Sequence, residues 1–505
     1  MLLFNLDGDG LVSHRVGGWD WQDWGSNIDW QLLDNAWYFL ALDTMIKLAQ
    51  LTGNTADLGE WQYRSNSISA NFNRVLWRPD RGEYRSPTHP DSQDTDDRGN
   101  ALSIVAGLST EAQRSALMQV LGAHQNASPY MELYVLQALY KLGSSGTAEA
   151  RMKSRYADQV NDSGYTLWEL WDRSGTGNHG WNGGPLFVLS AYGAGVRPTS
   201  PGFVKYDVRP QLGGQQTINS VVPTVKGSVR VSVNRASSSH LTLTVTSPTG
   251  TTATIGVPRI GMVNPQISAN GTVVYTNESV ANYVSGLSYV ARDLDYVYFT
   301  ATPGTWSFDE TGTDPTWCAN ENGTCTFSGT KLVRYGANGS YVYRVVNGDV
   351  SGSVACNNTT FGDPAWGASK QCHYSTPIPA GGPPGYGLCA NENGTCAFVG
   401  QGSVAYGAYD SFTVRSFSGS AACNNATFGD PIYGVAKNCY YSPEPIAGSS
   451  CATEGEVCSF PGSQMVAYGA NGKYRYLYAT GSVSCNNTSF GGDPIYGAAK
   501  SCYPL

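Results

Sequence analysis

The chain has 505 residues, of which 14% are charged, and a formal net charge of −8. That length allows several domains rather than a single core, and an acidic balance without long like-charge runs excludes the basic face that a nucleic-acid partner requires. No apolar run approaches the roughly 20 residues that cross a bilayer, so no membrane partner is expected.

The chain opens on Met1-Leu-Leu-Phe-Asn-Leu-Asp-Gly-Asp-Gly10. A secretory leader has a basic segment followed by an apolar one, and this is neither. The expectation is that a leader has been removed or that the chain begins inside a longer protein.

Gly17-Gly-Trp-Asp-Trp-Gln-Asp-Trp-Gly25 places Asp20 and Asp23 among Trp19, Trp21 and Trp24. Exposed tryptophan beside aspartate suits a sugar, because rings stack on its faces and carboxylates accept its hydroxyls. The plainer alternative makes the tryptophans core and the aspartates turn caps.

From about residue 26 to 197 the pattern is helical, with about seven segments. Ile28 to Thr52 carries Leu32, Leu33, Ala36, Trp37 and Leu40 at helical spacing. Ser26 or Asn27 is its expected N-cap, and Gly53 its C′ residue. In Ser92-Gln-Asp-Thr-Asp-Asp-Arg-Gly-Asn100, three acids beside Arg98 mark a helix start, where the dipole favours them. The alternative is that they orient a neighbouring loop, but the dipole alone explains acids there, and that structural reading is favoured. Thr110-Glu-Ala-Gln113 fits a capping box. Ser128-Pro129 opens a further helix that Gly143 closes.

Thr166-Leu-Trp-Glu-Leu-Trp171 then sets Glu169 between Trp168 and Trp171, with His179 ten residues on and Trp181 after it. Flat apolar walls with a few fixed polar groups suit a sugar pocket. Cleaving a glycosidic bond needs two carboxyl groups, and Glu169 is the first candidate. Trp168 and Trp171 would lower the local polarity and tune its pKa. The alternative makes Glu169 a helix cap or the partner of Arg173. His179 is expected to donate to a substrate hydroxyl or to Glu169. No second histidine is spaced for a metal, so no metal and no cofactor are expected. Ten of the thirteen tryptophans precede residue 182, which places the sugar site in this region.

At Val196 the pattern changes to period-two alternation, as in Ser228-Val-Arg-Val-Ser-Val and Leu241-Thr-Leu-Thr-Val-Thr. This predicts an antiparallel β-sandwich running to about Phe308. All twelve cysteines fall at or after Cys318, four in each of three similar blocks. Each block opens with a pair seven apart (Cys318/Cys325, Cys389/Cys396, Cys451/Cys458), carries Tyr-Gly-Ala at Tyr335, Tyr406 or Tyr468, and closes on Gly-x-x-Lys-x-Cys. The third block inserts one glycine before its Asp-Pro, in Phe490-Gly-Gly-Asp-Pro494. Without a CxxC pair, disulfides fit better than zinc and imply an oxidising compartment. Blocks this small need such staples. Four cysteines allow three pairings, and the sequence does not choose among them. Sequons at Asn126, Asn270, Asn277 and Asn393 are compatible with secretion. The repeats are read either as weak sugar binders or as stapled spacers.

Between about residues 17 and 260 the chain resembles the C-terminal half of α-L-rhamnosidases of glycoside hydrolase family 78. The pieces that carry the resemblance are Trp19-Asp-Trp-Gln-Asp-Trp-Gly25, Asp96-Asp-Arg-Gly-Asn-Ala-Leu102, Ser128-Pro-Tyr-Met-Glu-Leu-Tyr-Val-Leu136, Thr166-Leu-Trp-Glu169, Asn178-His179 and Gly195-Val-Arg-Pro-Thr-Ser-Pro-Gly202. The chain is read as multidomain. The resemblance implies part of an (α/α)6 toroid (1–197) followed by the β-sandwich (198–310); the three disulfide-rich β repeats (318–375, 388–442 and 450–505) lie outside the resemblance. The resemblance also implies a secreted hydrolase that removes rhamnose-like residues from a polysaccharide or glycoconjugate with inversion. Glu169 would be the general base and His179 a substrate contact. Asp20, Trp21, Asp23, Trp24, Trp168 and Trp181 would complete the substrate site. The family's general acid, in an Asp-x-x-x-Arg-Glu-Arg-type motif, has no counterpart here, and twelve helices are needed where about seven are read. The chain is therefore expected to start mid-domain, with the acid upstream. Two other readings stay open: a carbohydrate-binding or matrix protein on a hydrolase scaffold, and a polysaccharide lyase on a similar toroid.

Overall fold

The structure is a computed structural model that describes residues 6–15, 22–110, 113–276, 279–292, 295–329, 331–346, 351–375, 386–408, 411–429, 431, 437–442, 450–470, 473–487, 489–490 and 498–504. Asp20, Trp21, Asn277, the middle of the proposed capping box and the inserted glycine of the third repeat lie outside the described residues.

Seven α-helices precede residue 196 among the described residues: α1 (Trp30–Thr52), α2 (Leu58–Leu76), α3 (Asp97–Val105), α4 (Arg114–Ala123), α5 (Pro129–Lys141), α6 (Ser145–Val160) and α7 (Gly184–Val188). Their packing alternates. α1 contacts α2 and α3, α3 contacts α4 and α5, and α5 contacts α6 and α7. The odd-numbered helices thus form an inner row, and each even-numbered helix leans on the one before it. Burial agrees, since α3 is buried from Asp97 to Ile104 whereas α2 buries only Ile68, Phe72 and Leu76. From Asp97 to Ile104 α3 has no free face, so its polar residues there must find partners within the protein.

The helix ends follow local chemistry. Gly53 and Gly143 both take the left-handed conformation, at φ 72°, which glycine adopts without a Cβ clash. Ser128 caps α5 by accepting the Tyr130 N–H at 3.2 Å, with Pro129 at the first position. The Gln113 side chain accepts the Thr110 N–H at 2.6 Å, which is one half of a capping box. The expected cap of α1 is corrected: Asp29, not Ser26 or Asn27, accepts the Leu32 N–H at 3.2 Å.

From Val196 the chain builds two sheets over one core. A seven-stranded sheet contributes Val229, Val231, Val233, Leu241, Leu243 and Val245, and a five-stranded sheet contributes Ala253, Ile255, Val257, Val297 and Phe299. The alternation of valine and leucine with polar residues places one face of each strand inside. One pairing departs from the all-antiparallel expectation: Lys205–Val208 runs parallel to Thr252–Pro258. The intervening sandwich strands make that crossover possible.

In each Cys repeat the first cysteine bonds the second and the third bonds the fourth: Cys318–Cys325 and Cys356–Cys372, Cys389–Cys396 and Cys423–Cys439, Cys451–Cys458 and Cys485–Cys502. The tyrosine of each Tyr-Gly-Ala is fully buried. Its hydroxyl meets a glutamate and an asparagine: Glu321 and Asn358 at 2.8 and 2.7 Å, Glu392 and Asn425 at 2.5 and 2.7 Å, Glu454 and Asn487 at 2.7 and 2.8 Å. A buried lysine closes each cluster on the same glutamate, at 3.0 Å for Lys370, 3.4 Å for Lys437 and 3.0 Å for Lys500. These tyrosines are internal staples, not a binding face.

The repeats differ in what they join. Repeats two and three share one eight-stranded sheet, paired through Ser411↔Arg475, Phe412↔Tyr474 and Thr413↔Lys473. The first repeat instead seats on the helical region. Ser340 Oγ accepts the Gly146 N–H at 3.0 Å, Ser144 Oγ donates to the Pro364 carbonyl at 2.9 Å, and Ser115 Oγ donates to the Phe361 carbonyl at 3.2 Å. It also holds the sandwich, where Arg334 donates to the Gly261 carbonyl at 2.7 Å. Each disulfide closing a short loop is worth about 2–4 kcal/mol, and the first 317 residues contain no cysteine. Reduction is therefore expected to abolish the thermal transition of the repeats and to preserve the helical signal in circular dichroism.

Candidate active site

The N-terminal ends of the inner helices lie together, and the loops that precede α1, α3, α5 and α7 meet there. Buried charges hold them. Arg98, fully buried on α3, donates to Asp96 at 2.6 Å, to Asp23 at 3.3 Å and to the Ser26 carbonyl at 2.8 Å. Asp23 accepts the Ser128 N–H at 3.0 Å, which ties the loop before α1 to the start of α5. Asp96 accepts the Asp29 N–H at 2.8 Å, and Asp29 accepts the Ser86 N–H at 2.7 Å. Asp97 accepts the N–H groups of Asn126 and Ala127 at 3.0 and 3.1 Å and pairs with Arg151 at 2.7 Å. Arg151 and Arg155 both reach the buried Glu132, at 2.7 and 2.6 Å. Burial pushes Asp23 up from its ordinary value, against Ser128 and Arg98. It pushes Asp96 up to about 6, against Arg98.

On this frame sits the loop that carries Glu169. The turn at Gly175 (φ 76°) folds Thr176 back onto the carboxylate, and a Cβ at that glycine would meet Glu169 Oε2 at 2.6 Å. Thr176 donates to Glu169 Oε2 twice, from its N–H at 2.8 Å and its hydroxyl at 3.0 Å. His179 Nδ1 lies 2.7 Å from the same hydroxyl and 3.5 Å from Glu169 Oε2. These contacts hold the Glu169 carboxyl below the ordinary glutamate value, Thr176 first and His179 after it. Glu169 is 26% exposed, so water reaches it.

Aromatic rings line the approach. The His179 and Trp181 rings lie 3.8 Å apart between centroids, Trp181 and Trp24 4.8 Å, and Trp181 and Tyr130 5.8 Å. Trp24 is 36% exposed, and the Trp181 indole N–H donates to the Glu169 carbonyl at 3.2 Å. The structure therefore brings together Glu169, His179, Trp181 and Trp24.

It does not bring Trp168 or Asp23 to that surface. Trp168 is buried, its indole N–H donating to Asp162 at 3.0 Å. Asp23 is buried beside Arg98, so it fixes the loop that presents Trp24. Arg173 pairs with Asp162 at 2.9 Å instead of Glu169. Trp171 anchors the loop through its N–H to the Ala127 carbonyl at 2.8 Å. Sequence reasoning missed Thr176 and the role of Tyr130. Gly175 is the signal for the first, because a turn that tight beside Glu169 must point something back at it. Among the described residues no cluster of His, Cys, Asp and Glu could hold a metal ion.

The family model for the bacterial α-L-rhamnosidase six-hairpin glycosidase domain matches residues 6–189, and that for the bacterial α-L-rhamnosidase C-terminal domain matches residues 195–270. Among solved structures, the α-L-rhamnosidase of Dictyoglumus thermophilum is 17% identical, with a TM-score of 0.48 over 61% of this chain and 35% of that one. The Streptomyces avermitilis α-L-rhamnosidase complexed with L-rhamnose is 18% identical, with a TM-score of 0.48 over 60% of this chain and 29% of that one. An uncharacterised protein of Acanthamoeba polyphaga mimivirus is 32% identical over 114 residues, 22% of this chain and 53% of that protein. The chain thus spans about half of that relative and about a third of those structures. Its helical region and the sandwich after it belong, over residues 6–189 and 195–270, to the α-L-rhamnosidase family.

Proposed function

We propose that this protein is a secreted glycosidase that removes terminal rhamnose-like residues from a polysaccharide or glycoconjugate with inversion, and that Glu169 is its general base. The observation that carries the reading is a carboxylate held ionised by Thr176 and His179 beside the Trp24–Trp181–Tyr130 surface. The family supports a glycosidase, and with it a carbohydrate substrate. Six disulfides agree with an oxidising exterior.

In this mechanism a water between Glu169 and the anomeric carbon attacks the face opposite the leaving oxygen. Its proton passes to Glu169 as the new bond forms and the glycosidic bond breaks. His179 hydrogen-bonds a sugar hydroxyl through the ring nitrogen that does not face Thr176, and Trp24 and Trp181 wall the ring. Asp20 and Trp21 are assigned to the same pocket from their place in the sequence. The acid that protonates the leaving oxygen is assigned to no residue.

The direct test is hydrolysis of an aryl α-L-rhamnoside against a panel of other aryl glycosides. Rhamnoside turnover alone supports the reading; turnover of none contradicts it. The pH profile adds a second check. A base must be ionised, so kcat/KM falls as pH drops through its pKa. With Glu169 held low, that acid limb is expected below the ordinary glutamate range. Thr176→Ala removes the hydroxyl bond and is expected to move the limb upward.

A further inference from the structure

A groove of about 410 Å³ runs along the seam between the first Cys repeat and the helical region. The repeat lends it the Trp366 ring and Asn338, and the helical region lends it Gly122, Gln125 and Ser154. Trp366 is 42% exposed yet held in place. Its backbone N–H donates to Thr147 Oγ1 at 3.0 Å, and a Cβ on Gly122 would meet the indole at 2.8 Å. Glycine at that position is what lets the ring seat there. A large ring fixed by its surroundings, one part still open to water, loses little freedom when a ligand stacks on it.

The rest of the groove offers amides and hydroxyls, because Gln125, Asn338 and Ser154 are exposed. Its one charged residue, Arg151, is committed to Glu132, Asp97 and the carbonyls of Leu121 and His124. The groove therefore presents an aromatic plane with neutral donors and acceptors, in a volume within the usual range for a ligand site. Gln125 directly precedes the Asn126–Ser128 segment that Asp97 and Asp23 tie into the frame of the candidate active site.

We infer that this seam is a second, non-catalytic carbohydrate site that binds a neutral sugar unit, stacked on Trp366 and hydrogen-bonded by Gln125 and Asn338. It is built by two domains at once, so neither the repeat nor the helical region holds it alone. The site does not depend on Glu169 or on rhamnoside turnover.

The test uses the whole protein on an array of neutral and acidic oligosaccharides, comparing wild type, Trp366→Ala and Gln125→Ala, with circular dichroism of each. The expected result is wild-type binding of a neutral oligosaccharide, weakened about tenfold or more in Trp366→Ala and also weakened in Gln125→Ala. Turnover of a small aryl rhamnoside should be unchanged in both. If Trp366→Ala fails to fold, Gln125→Ala, which changes an exposed side chain, decides. An array on which wild type binds nothing, binds only acidic glycans, or binds neutral ones equally well in the folded variants would overturn the inference.

Discussion

Glu169→Gln is expected to lower kcat on an aryl α-L-rhamnoside by about 10²–10⁴-fold, the usual contribution of a positioned general base. The aryl leaving group departs without help from an acid, so the assay isolates the step assigned to Glu169. Glutamine keeps the shape and an oxygen for the Thr176 N–H, and the side chain is partly exposed. No buried charge is orphaned, and stability is expected to change by no more than about 0.5 kcal/mol. Azide is already an anion and needs no base, so it should restore turnover and give the β-configured glycosyl azide. A folded Glu169→Gln protein with unchanged kcat would remove Glu169 from the mechanism.

Arg98→Leu is the second large effect, and it acts on the frame rather than the chemistry. It leaves Asp23 and Asp96 buried without their cation. Breaking a buried pair from one side costs about 3–5 kcal/mol, a large share of a domain's stability. The loss has a pH signature. Burial already lifts Asp96 from 3.8 to about 6 with Arg98 present. An acid whose folded pKa lies above its unfolded one binds more protons in the folded state. Its contribution is full below the unfolded value and is lost as pH rises through the folded one. Without Arg98 both carboxylates rise further, so denaturant unfolding should show a larger deficit near about pH 8 than near about pH 5. An equal deficit at both would mean that Arg98 acts by packing alone.

The parts of this fold that were legible in sequence are those written locally. Ser128-Pro129 and Gly143 bracket α5 because a cap, a proline without an N–H and a left-handed glycine act within a few residues. The first helix shows the limit of that logic. Ser26, Asn27 and Asp29 are all good caps, and the choice fell on Asp29 because the same carboxylate also accepts from Ser86, 57 residues away. The Arg98 frame was visible only as acids at a helix start, since apart from Asp96 the partners of Arg98 are 72 to 75 residues distant. Adjacent residues can face opposite ways, so Trp168 could not be told from Trp181 until the Asp162 contact fixed it. The repeats and their cysteines were plain, but their pairing and the fusion of repeats two and three depend on contacts between strands, which spacing does not encode.

Inversion at this site requires Glu169 to direct a water to the face opposite the leaving group. Proton magnetic resonance of the first product released from an aryl α-L-rhamnoside, read before mutarotation, tests this most directly. Inversion with Glu169 as base yields β-L-rhamnose as the first-formed anomer, and that signal is expected to be lost in Glu169→Gln. The α anomer appearing first, or the β signal persisting in Glu169→Gln, would contradict it.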